Sequence, residues 1–387
     1  MDTRFTLSPR FTYIAIGCIV AGMLAMAYGF YSSADRAWAN LLLNNFYFLS
    51  LAIGASFFLA LQYITQSGWS AMFRRVPEAM GAYLPFAAIL MLLLYFGMNN
   101  IYEWSHTDIV ANDPVLLHKA PYLNLSFFFI RMIIFFTAWI IMTRIIRKVS
   151  LQEDQFGGMK YLEKNEMNSK IFIFILAITF SLASFDYIMS IEAHWVSTIF
   201  AVKNFVAAFY HGTAIIILIV ILLNEKGYFK ELNESHLLDF SRYLFMLSIV
   251  WGYMFFAQFM LIWFANIPEE TVYYAERWNH GWKVLFYVNI IINWFIPFTV
   301  LLSQKMDKNK TVVKLICILL IAGQWIDLYD QIMPTLTGTP QFGIIEIGAF
   351  IGYAGLFALV VAKALGSADL VPKNHPYLEE SLYHHIH

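Results

Sequence analysis

Ten stretches of mostly apolar residues divide the chain, and each is about as long as a helix that crosses a membrane. A helix needs about 20 such residues to span the hydrocarbon core. The stretches lie at 13–31, 41–66, 80–98, 123–146, 169–190, 198–223, 239–264, 281–302, 311–329 and 342–365. Since backbone polar groups in lipid must be paired within a segment, this pattern predicts an all-α integral membrane protein of about ten transmembrane helices.

The composition supports this class and excludes others. Of all residues, 60% are hydrophobic and only 13% are charged, against about 25% charged in soluble domains. The net charge of −1 provides no basic field for nucleic acid, so no nucleic-acid partner is expected. The two cysteines, Cys18 and Cys317, lie in apolar stretches and are too few for an iron–sulfur cluster, which needs about four thiolates. We therefore predict no metal site and no covalently bound cofactor in this chain.

The distribution of basic residues predicts the orientation. Only Arg36, Lys119, Arg277 and Lys283 fall on the side opposite the N-terminus, and most of the other Lys and Arg residues lie on the N-terminal side. By the positive-inside rule, both termini are cytoplasmic. The longest predicted loops, 99–122 outside and 147–168 inside, are too short for a soluble domain, so residues 1–387 are predicted to form a single polytopic domain.

Ionisable residues within the spans, or at their outer ends, are the candidates for function, because such residues are costly in a membrane and often line proton or ion pathways. At 1.5 Å per residue, Lys203 lies about 8 Å and His211 about 20 Å inside the sixth helix. The candidates for a proton path or a quinol site are Arg131, Asp186, Glu192, His194, Lys203, His211, Asp327 and Glu346.

Structural explanations remain open for the same residues. Arg131, Lys203 and Asp186 could form ion pairs that only hold helices together, and His211 could be a packed, hydrogen-bonded core residue. The pair Asn289 and Asn293, four residues apart, suits hydrogen bonding between helices.

The short turn between the fifth and sixth helices leads to a specific prediction. Asp186 and Lys203 should lie at similar depth on neighbouring helices and form an ion pair. Such a pair lowers the cost of both charges and can relay protons. With His194, His211 and Asp327, it would line a polar route from the outer face into the membrane.

The segment FDYIMSIEAHWVSTIF at 185–200 resembles the signature of the ActF-type membrane subunit of bacterial alternative complex III, a relative of the NrfD/PsrC-like membrane anchors. Similar agreement extends over HKAPYLN at 118–124, QWIDLYDQIMP at 324–334 and HPYLEESLYHH at 375–385. A long stretch at 277–309, from RWNHGWK to QKMDKN, agrees as well. These segments are spread over most of the chain.

The resemblance implies a fold and a setting. The second to fifth helices, about 41–190, and the sixth to ninth, about 198–334, would form two four-helix bundles flanked by helices 13–31 and 342–365. The complex oxidises quinol and passes electrons to cytochrome c or to an oxidase. This chain would carry no redox centre and no catalytic residue. Its own ligand would be a quinol or quinone, and menaquinol is the expected species.

The resemblance also implies partners and a location. The expected partners are a homologous NrfD-like membrane subunit, periplasmic iron–sulfur and c-type haem subunits that hold the redox centres, a terminal oxidase, and lipids. The location would be the bacterial inner (cytoplasmic) membrane. We also predict that the outer loops 99–122 and 265–280 dock hydrophilic subunits through Tyr102, Trp104, Tyr273 and Tyr274, since aromatic residues are common anchors in interfaces.

A proton- or ion-coupled secondary transporter is the alternative function. Ionisable residues near the midplane would suit it. However, the interrupting prolines Pro85 and Pro297 lie in helices that do not correspond between the two halves, which does not favour this alternative.

Overall fold

The computed structural model describes residues 4–303 and 305–385, and within these ranges ten helices are long and apolar enough to cross a membrane. We number them α1 to α10 in chain order: Pro9–Ser32, Ala34–Ile64, Ala71–Ile101, Leu125–Phe156, Met159–Tyr187, Ile199–Glu225, Glu234–Ala265, Trp282–Leu301, Lys310–Thr337 and Ile344–Leu365. The predicted all-α, multi-span membrane class is confirmed.

The predicted inner loop 147–168 is not a loop. Helix α4 continues to Phe156 and helix α5 begins at Met159, so both helices extend well beyond their apolar stretches. Only Gly157 and Gly158 connect them, with φ angles of 63° and 97°. Because side chains disfavour this left-handed region, the glycine pair permits the tight turn. The polar residues that suggested a loop lie on helical surfaces instead.

Helix α3 begins earlier than predicted and is irregular. It contains short 3₁₀ turns at Ala71–Phe73, Gly81–Tyr83 and Leu93–Gly97. Its first turns include Arg74 and Arg75, which are buried. They pair with Glu153 and Asp154 of α4, so charges that marked a helix end in the sequence are neutralised inside the protein.

Helix α2 lies at the centre of the molecule and contacts α3, α5, α6, α9 and α10. Its closest neighbour is α6, where a Cβ atom added to Gly54 would lie 1.9 Å from the Ala208 carbonyl oxygen. Helices α2 to α5 contact one another in a ring, and α6 to α9 form a second ring. The remaining helices, α1 and α10, pack against each other where Gly22 meets Gly352.

The two ends of the described chain meet on one side of the molecule. A backbone bridge joins Arg4 to Asp369, and the C-terminal segment folds back over the same face. There Ser381 Oγ donates to the Trp69 carbonyl oxygen at 2.7 Å. We call this the inner side, the side for which the sequence predicts the cytoplasm, and we call the opposite side outer.

Candidate functional site

A buried ion pair lies in the middle of the ring formed by α6 to α9. The Lys203 ammonium on α6 is 3.0 Å from Asp327 Oδ1 on α9, and the two residues are only 4% and 1% exposed. The ammonium also lies 5.4 Å from the centre of the Phe255 ring on α7. A buried charge is tolerated only when it is paired and hydrogen-bonded. Here the ammonium of Lys203 and the carboxylate of Asp327 pair with each other.

Side-chain amides extend the pair along the bundle. Asn289 donates to Asp327 Oδ1 at 2.8 Å, and Gln331 donates to Oδ2 at 2.9 Å. Asn293 then donates to Asn289 Oδ1 at 2.6 Å, and Gln324 donates to Asn293 Oδ1 at 2.9 Å. These amides connect α8 with α9 in one hydrogen-bonded chain.

The local sequence of α8 shapes this chain. Pro297 has no N–H group, so the Asn293 carbonyl lacks the donor that a regular helix would supply. The helix adopts a π turn over Ile291–Phe295, and the Tyr210 hydroxyl of α6 donates to that carbonyl at 3.2 Å. Single π turns often occur at functional sites. Opposite lies Gly323, where a Cβ atom would come within 2.5 Å of Asn293 Oδ1.

Arg277 closes the outer end of the network. It lies in the short helix Pro268–Trp278 outside the spans, yet it is 1% exposed. Its guanidinium donates to the backbone carbonyls of Asp330 at 2.9 Å and Gln331 at 3.0 Å. Pro334 explains why Asp330 has a free carbonyl, because the missing N–H leaves the oxygen four residues earlier without a donor.

The charge of Arg277 is stabilised by its surroundings. Burial alone would lower the pKa of the guanidinium, but Tyr273, Glu192 and Asp330 together raise the pKa above its usual value. Glu192 Oε1 accepts from Arg277 at 3.1 Å and from the Thr335 hydroxyl at 2.7 Å. Of the predicted site residues, Glu192, Lys203 and Asp327 are therefore linked, through Arg277 and Gln331.

His211 lies apart from this network, at the contact between α6 and α2. Its Nδ1 atom is 2.6 Å from the Ala207 carbonyl oxygen, and Nε2 is 3.0 Å from Ser50 Oγ. The ring stacks on Tyr47 with 5.2 Å between ring centres. Ser50 Oγ also donates to the Tyr47 carbonyl at 2.8 Å, so a proton on Nε2 would have an acceptor in place. Both ring nitrogens of His211 therefore have a hydrogen-bond partner within the chain.

Several buried polar atoms on α6, α7 and α9 have no hydrogen-bond partner among the described protein atoms. They include both amide atoms of Asn204 and single side-chain atoms of Gln258, Gln324, Asp330 and Gln331. Buried polar groups are normally satisfied by protein or by ordered water. This concentration of free donors and acceptors favours hydration of the bundle interior.

The predicted ion pair between Asp186 and Lys203 is wrong. Asp186 instead accepts two hydrogen bonds from Arg131 of α4, at 2.7 Å from Nε and 3.0 Å from Nη2. The helices are neighbours as expected, but Asp186 points into the α2–α5 ring and Lys203 into the α6–α9 ring. Each finds its partner inside its own ring.

Arg131 is enclosed further by the rings of Tyr122 and Phe127, whose centres lie 3.9 Å and 4.3 Å from the guanidinium carbon. It also donates to the Tyr122 carbonyl oxygen at 2.9 Å. This closed arrangement, with a bidentate carboxylate and two aromatic faces, matches the structural explanation for Arg131 and Asp186.

The two remaining predicted residues also lie outside the central network. Glu346 receives two hydrogen bonds from Arg36, at 2.7 Å and 2.5 Å, and its Oε2 atom accepts from the Gly343 backbone N–H. It thereby caps α10 and joins that helix to α2. His194 is about half exposed, and its Nε2 atom lies 2.7 Å from Asp113 Oδ2. The Leu116 backbone N–H and His194 lower the pKa of the Asp113 carboxyl.

The aromatic residues predicted as docking anchors are used within the chain. Tyr102 and Trp104 are buried and donate to the Tyr187 carbonyl and to Ser190 Oγ. Tyr273 is also buried and stacks on Trp195 with 4.1 Å between ring centres. These aromatics stabilise the outer face itself and, apart from the half-buried Tyr274, offer little surface to a partner.

Two features of the structure are not predicted from the sequence. The sequence identifies Arg277 only as an outer basic residue, because the predicted ninth stretch ends at residue 329, whereas α9 continues past Pro334 to Thr337. A proline inside a helix leaves a carbonyl without its donor, and this is the signal for an external donor such as Arg277. The second is the buried cluster at the inner end of α3 and α4, where Arg75 donates to Glu78 at 2.5 Å. Arg74 and Arg75 lie 79 residues before their partners Glu153 and Asp154, so no local pattern in the sequence indicates that these residues meet.

A comparison with protein-family models finds no match for this chain. A comparison with curated proteins finds no significant relative either.

Proposed function

We propose that this protein is the membrane subunit of a respiratory quinol:electron-acceptor oxidoreductase, in which it provides a proton route through the outer half of the membrane. The observation that carries the proposal is the Lys203–Asp327 pair, buried in the α6–α9 ring and extended by amides. The resemblance over residues 185–200 is the reason for proposing a redox complex. The buried network is the reason for proposing a proton route.

The chemistry of the network suits proton transfer. Proton relays across membranes use chains of carboxylate, lysine and histidine side chains. Asp327 has one partner ammonium and two amide donors, so its charge is stabilised without being locked into a bidentate pair. The free polar atoms of Gln324, Asp330 and Gln331 would hold water molecules along the route.

Quinol oxidation itself fits this chain less well. A groove of about 580 Å³ between α7 and α8 has aromatic walls that include Trp251, Phe255 and Phe286, and such walls suit a quinone ring or its isoprenoid tail. Its lining contains no carboxylate and no histidine, whereas quinol oxidation needs a proton acceptor within hydrogen-bond reach. We therefore assign the proton route to this chain and the oxidation step to the complex as a whole.

Purification of the tagged chain in mild detergent tests the setting. Haem and iron–sulfur absorbance that co-migrates with the chain is the expected result. A colourless protein without redox partners, together with substrate uptake after reconstitution, would contradict it and support the transporter instead.

The proton route is tested in the assembled complex with Asp327→Asn. Quinol-driven proton transfer into proteoliposomes should fall at least about tenfold in Asp327→Asn, since loss of one relay group commonly costs 10²–10⁴ in proton transfer. Asp108→Asn is the control, because this exposed carboxylate lies in the outer loop. Normal proton transfer in an assembled Asp327→Asn complex would refute the route.

The transporter remains a second candidate because of one observation. Helix α3 is broken by 3₁₀ turns and α8 by a π turn, and interrupted helices form the ion sites of many transporters. Uptake of a solute by proteoliposomes that contain the chain alone, driven by a proton or sodium gradient, would favour this function.

A further inference from the structure

A groove of about 320 Å³ opens at the inner end of the helices, where α3, α4 and α10 meet. Its lining includes Ala82, Pro85, Ile140, Thr143, Arg144, Arg147, Ala364 and Ser367. This groove is separate from the proposed proton route. Its size is that of a small-molecule site, which typically measures about 300–1,000 Å³.

Two arginines, Arg144 and Arg147, make the inner rim of this groove positively charged. Arg144 is exposed and has no ion pair or hydrogen bond within the described residues. Arg147 is anchored, because Nη2 donates to the Ala364 carbonyl at 2.6 Å and to Ser367 Oγ at 2.7 Å. Lys148 and Lys363 are also exposed, and each is next in the sequence to a lining residue, Arg147 and Ala364 respectively. The rim is therefore strongly basic.

The one acidic residue in the lining does not cancel this charge. Glu78 is buried and paired, with its Oε2 atom 2.5 Å from Arg75 Nη1 and its Oε1 atom 2.5 Å from Ser150 Oγ. Its carboxylate is thus occupied within the protein. An anion that enters the groove would meet the guanidinium groups of Arg144 and Arg147.

The rest of the groove continues into the membrane and is apolar. Ile140 lies seven residues before Arg147 on α4, which at 1.5 Å per residue places it about 10 Å deeper. Pro85 and Ala82 of α3 form the facing wall. A free anion would use only the rim, whereas a molecule with an acidic head and an acyl chain would contact both parts.

We propose that this groove binds an anionic phospholipid of the inner leaflet, with the phosphate at Arg144 and Arg147 and an acyl chain between Pro85 and Ile140. Basic pockets between transmembrane helices on the cytoplasmic side bind acidic lipid head groups in this way. Arg147 at the rim is anchored to Ala364 of α10, so a bound lipid would also bridge α4 and α10. This site is independent of the proposed proton route.

Native mass spectrometry of the purified chain with added phosphatidylglycerol tests the site. We expect Arg144→Gln to weaken binding of the first phosphatidylglycerol about fivefold, the effect of one basic residue at an anionic head group. Lys230→Gln removes an exposed inner lysine outside the groove and should leave binding unchanged. Since Arg144 has no contact that folding depends on, its variant should keep the thermal stability of the wild type.

Three further measurements separate a lipid from a free anion. Ala82→Phe fills the apolar part of the groove and leaves the arginines in place, so it should also reduce phosphatidylglycerol binding. Inorganic phosphate should not displace the lipid, and phosphatidylcholine should bind more weakly. Equal phosphatidylglycerol binding by wild type and Arg144→Gln would overturn the proposal. Full displacement by inorganic phosphate, with no effect of Ala82→Phe, would overturn the lipid as the ligand.

Discussion

Arg277 supplies the hydrogen bond that Pro334 removes from helix α9. Its Nε atom donates at 2.9 Å to the Asp330 carbonyl, the oxygen that the N–H at position 334 would otherwise satisfy. Its Nη2 atom donates to the next carbonyl, that of Gln331, at 3.0 Å. The short outer helix is thereby attached to α9 one turn from Asp327, the centre of the buried network.

Removal of this side chain should therefore destabilise the protein. In Arg277→Met, two buried carbonyls lose their donor, and an unsatisfied buried group costs about 1–3 kcal/mol. We expect the free energy of unfolding, measured by titration with sodium dodecyl sulfate in mixed micelles, to fall by about 3 kcal/mol.

Pro334→Ala provides the matched test of the mechanism. In the Arg277→Met background, Pro334→Ala should recover part of the lost free energy of unfolding, because the new N–H can donate to the Asp330 carbonyl. In the wild type it should gain little, since that carbonyl already has a donor. Simple additivity of the two substitutions would show that Arg277 does not replace the missing helix bond.

The Lys203–Asp327 pair should show strong energetic coupling. Removal of one partner leaves a buried charge without compensation, which costs about 3–5 kcal/mol, so Lys203→Met and Asp327→Leu should each unfold more easily by that amount. The double variant should recover most of the stability, because both charges are gone. Its proton transfer should nevertheless remain lost. A double variant that regains proton transfer would mean that the pair has only a structural role.

The C-terminal segment should loosen as the pH falls. His375 is 8% exposed, and its Nδ1 atom accepts from the Tyr377 backbone N–H at 3.1 Å. Burial, with the nearby charges of Arg74 and Arg75, lowers the pKa of the His375 imidazole to about 2, against about 6.5 in an unfolded chain. Between these two values the released segment binds more protons than the packed one, so the stability of the packed state falls as the pH drops below about 6.5.

Hydrogen exchange of residues 370–385 measures this release. Exchange should accelerate between about pH 7.5 and about pH 5.5, after correction for the intrinsic rate, as expected for a titration near pH 6.5. His375→Asn is the control, because its amide oxygen can still accept from Tyr377 and does not titrate. An equal pH dependence in His375→Asn would assign the effect to another group.

The contact between α1 and α10 should tolerate no side chain at Gly22. A Cβ atom there would lie 2.4 Å from Gly352 Cα, so Gly22→Ala should separate the helices and lower the melting temperature. Gly17→Ala on the same helix is the control, since its Cβ would meet nothing within 4 Å. It should be neutral or stabilising by up to about 1 kcal/mol, because alanine restricts the unfolded chain. Equal melting temperatures for the two variants would contradict close packing at Gly22.

The sequence by itself determined the class of this protein and the number of its membrane helices. Apolar length is a local property, and a helix in lipid satisfies its own backbone, so each span could be identified without its neighbours. Helix ends were less predictable where polar residues continue a helix into water, as in α4 and α5, or where buried partners neutralise charges, as at Arg74 and Arg75.

Only the tertiary structure decided which charges meet. Asp186 and Lys203 lie close in sequence and on neighbouring helices, yet they pair with Arg131 and Asp327. The choice of partner depends on the direction of each side chain around its helix and on the packing of helices that are distant in sequence. Arg277 joins the network for the same reason, since only packing brings an outer helix to the carbonyls beside Pro334.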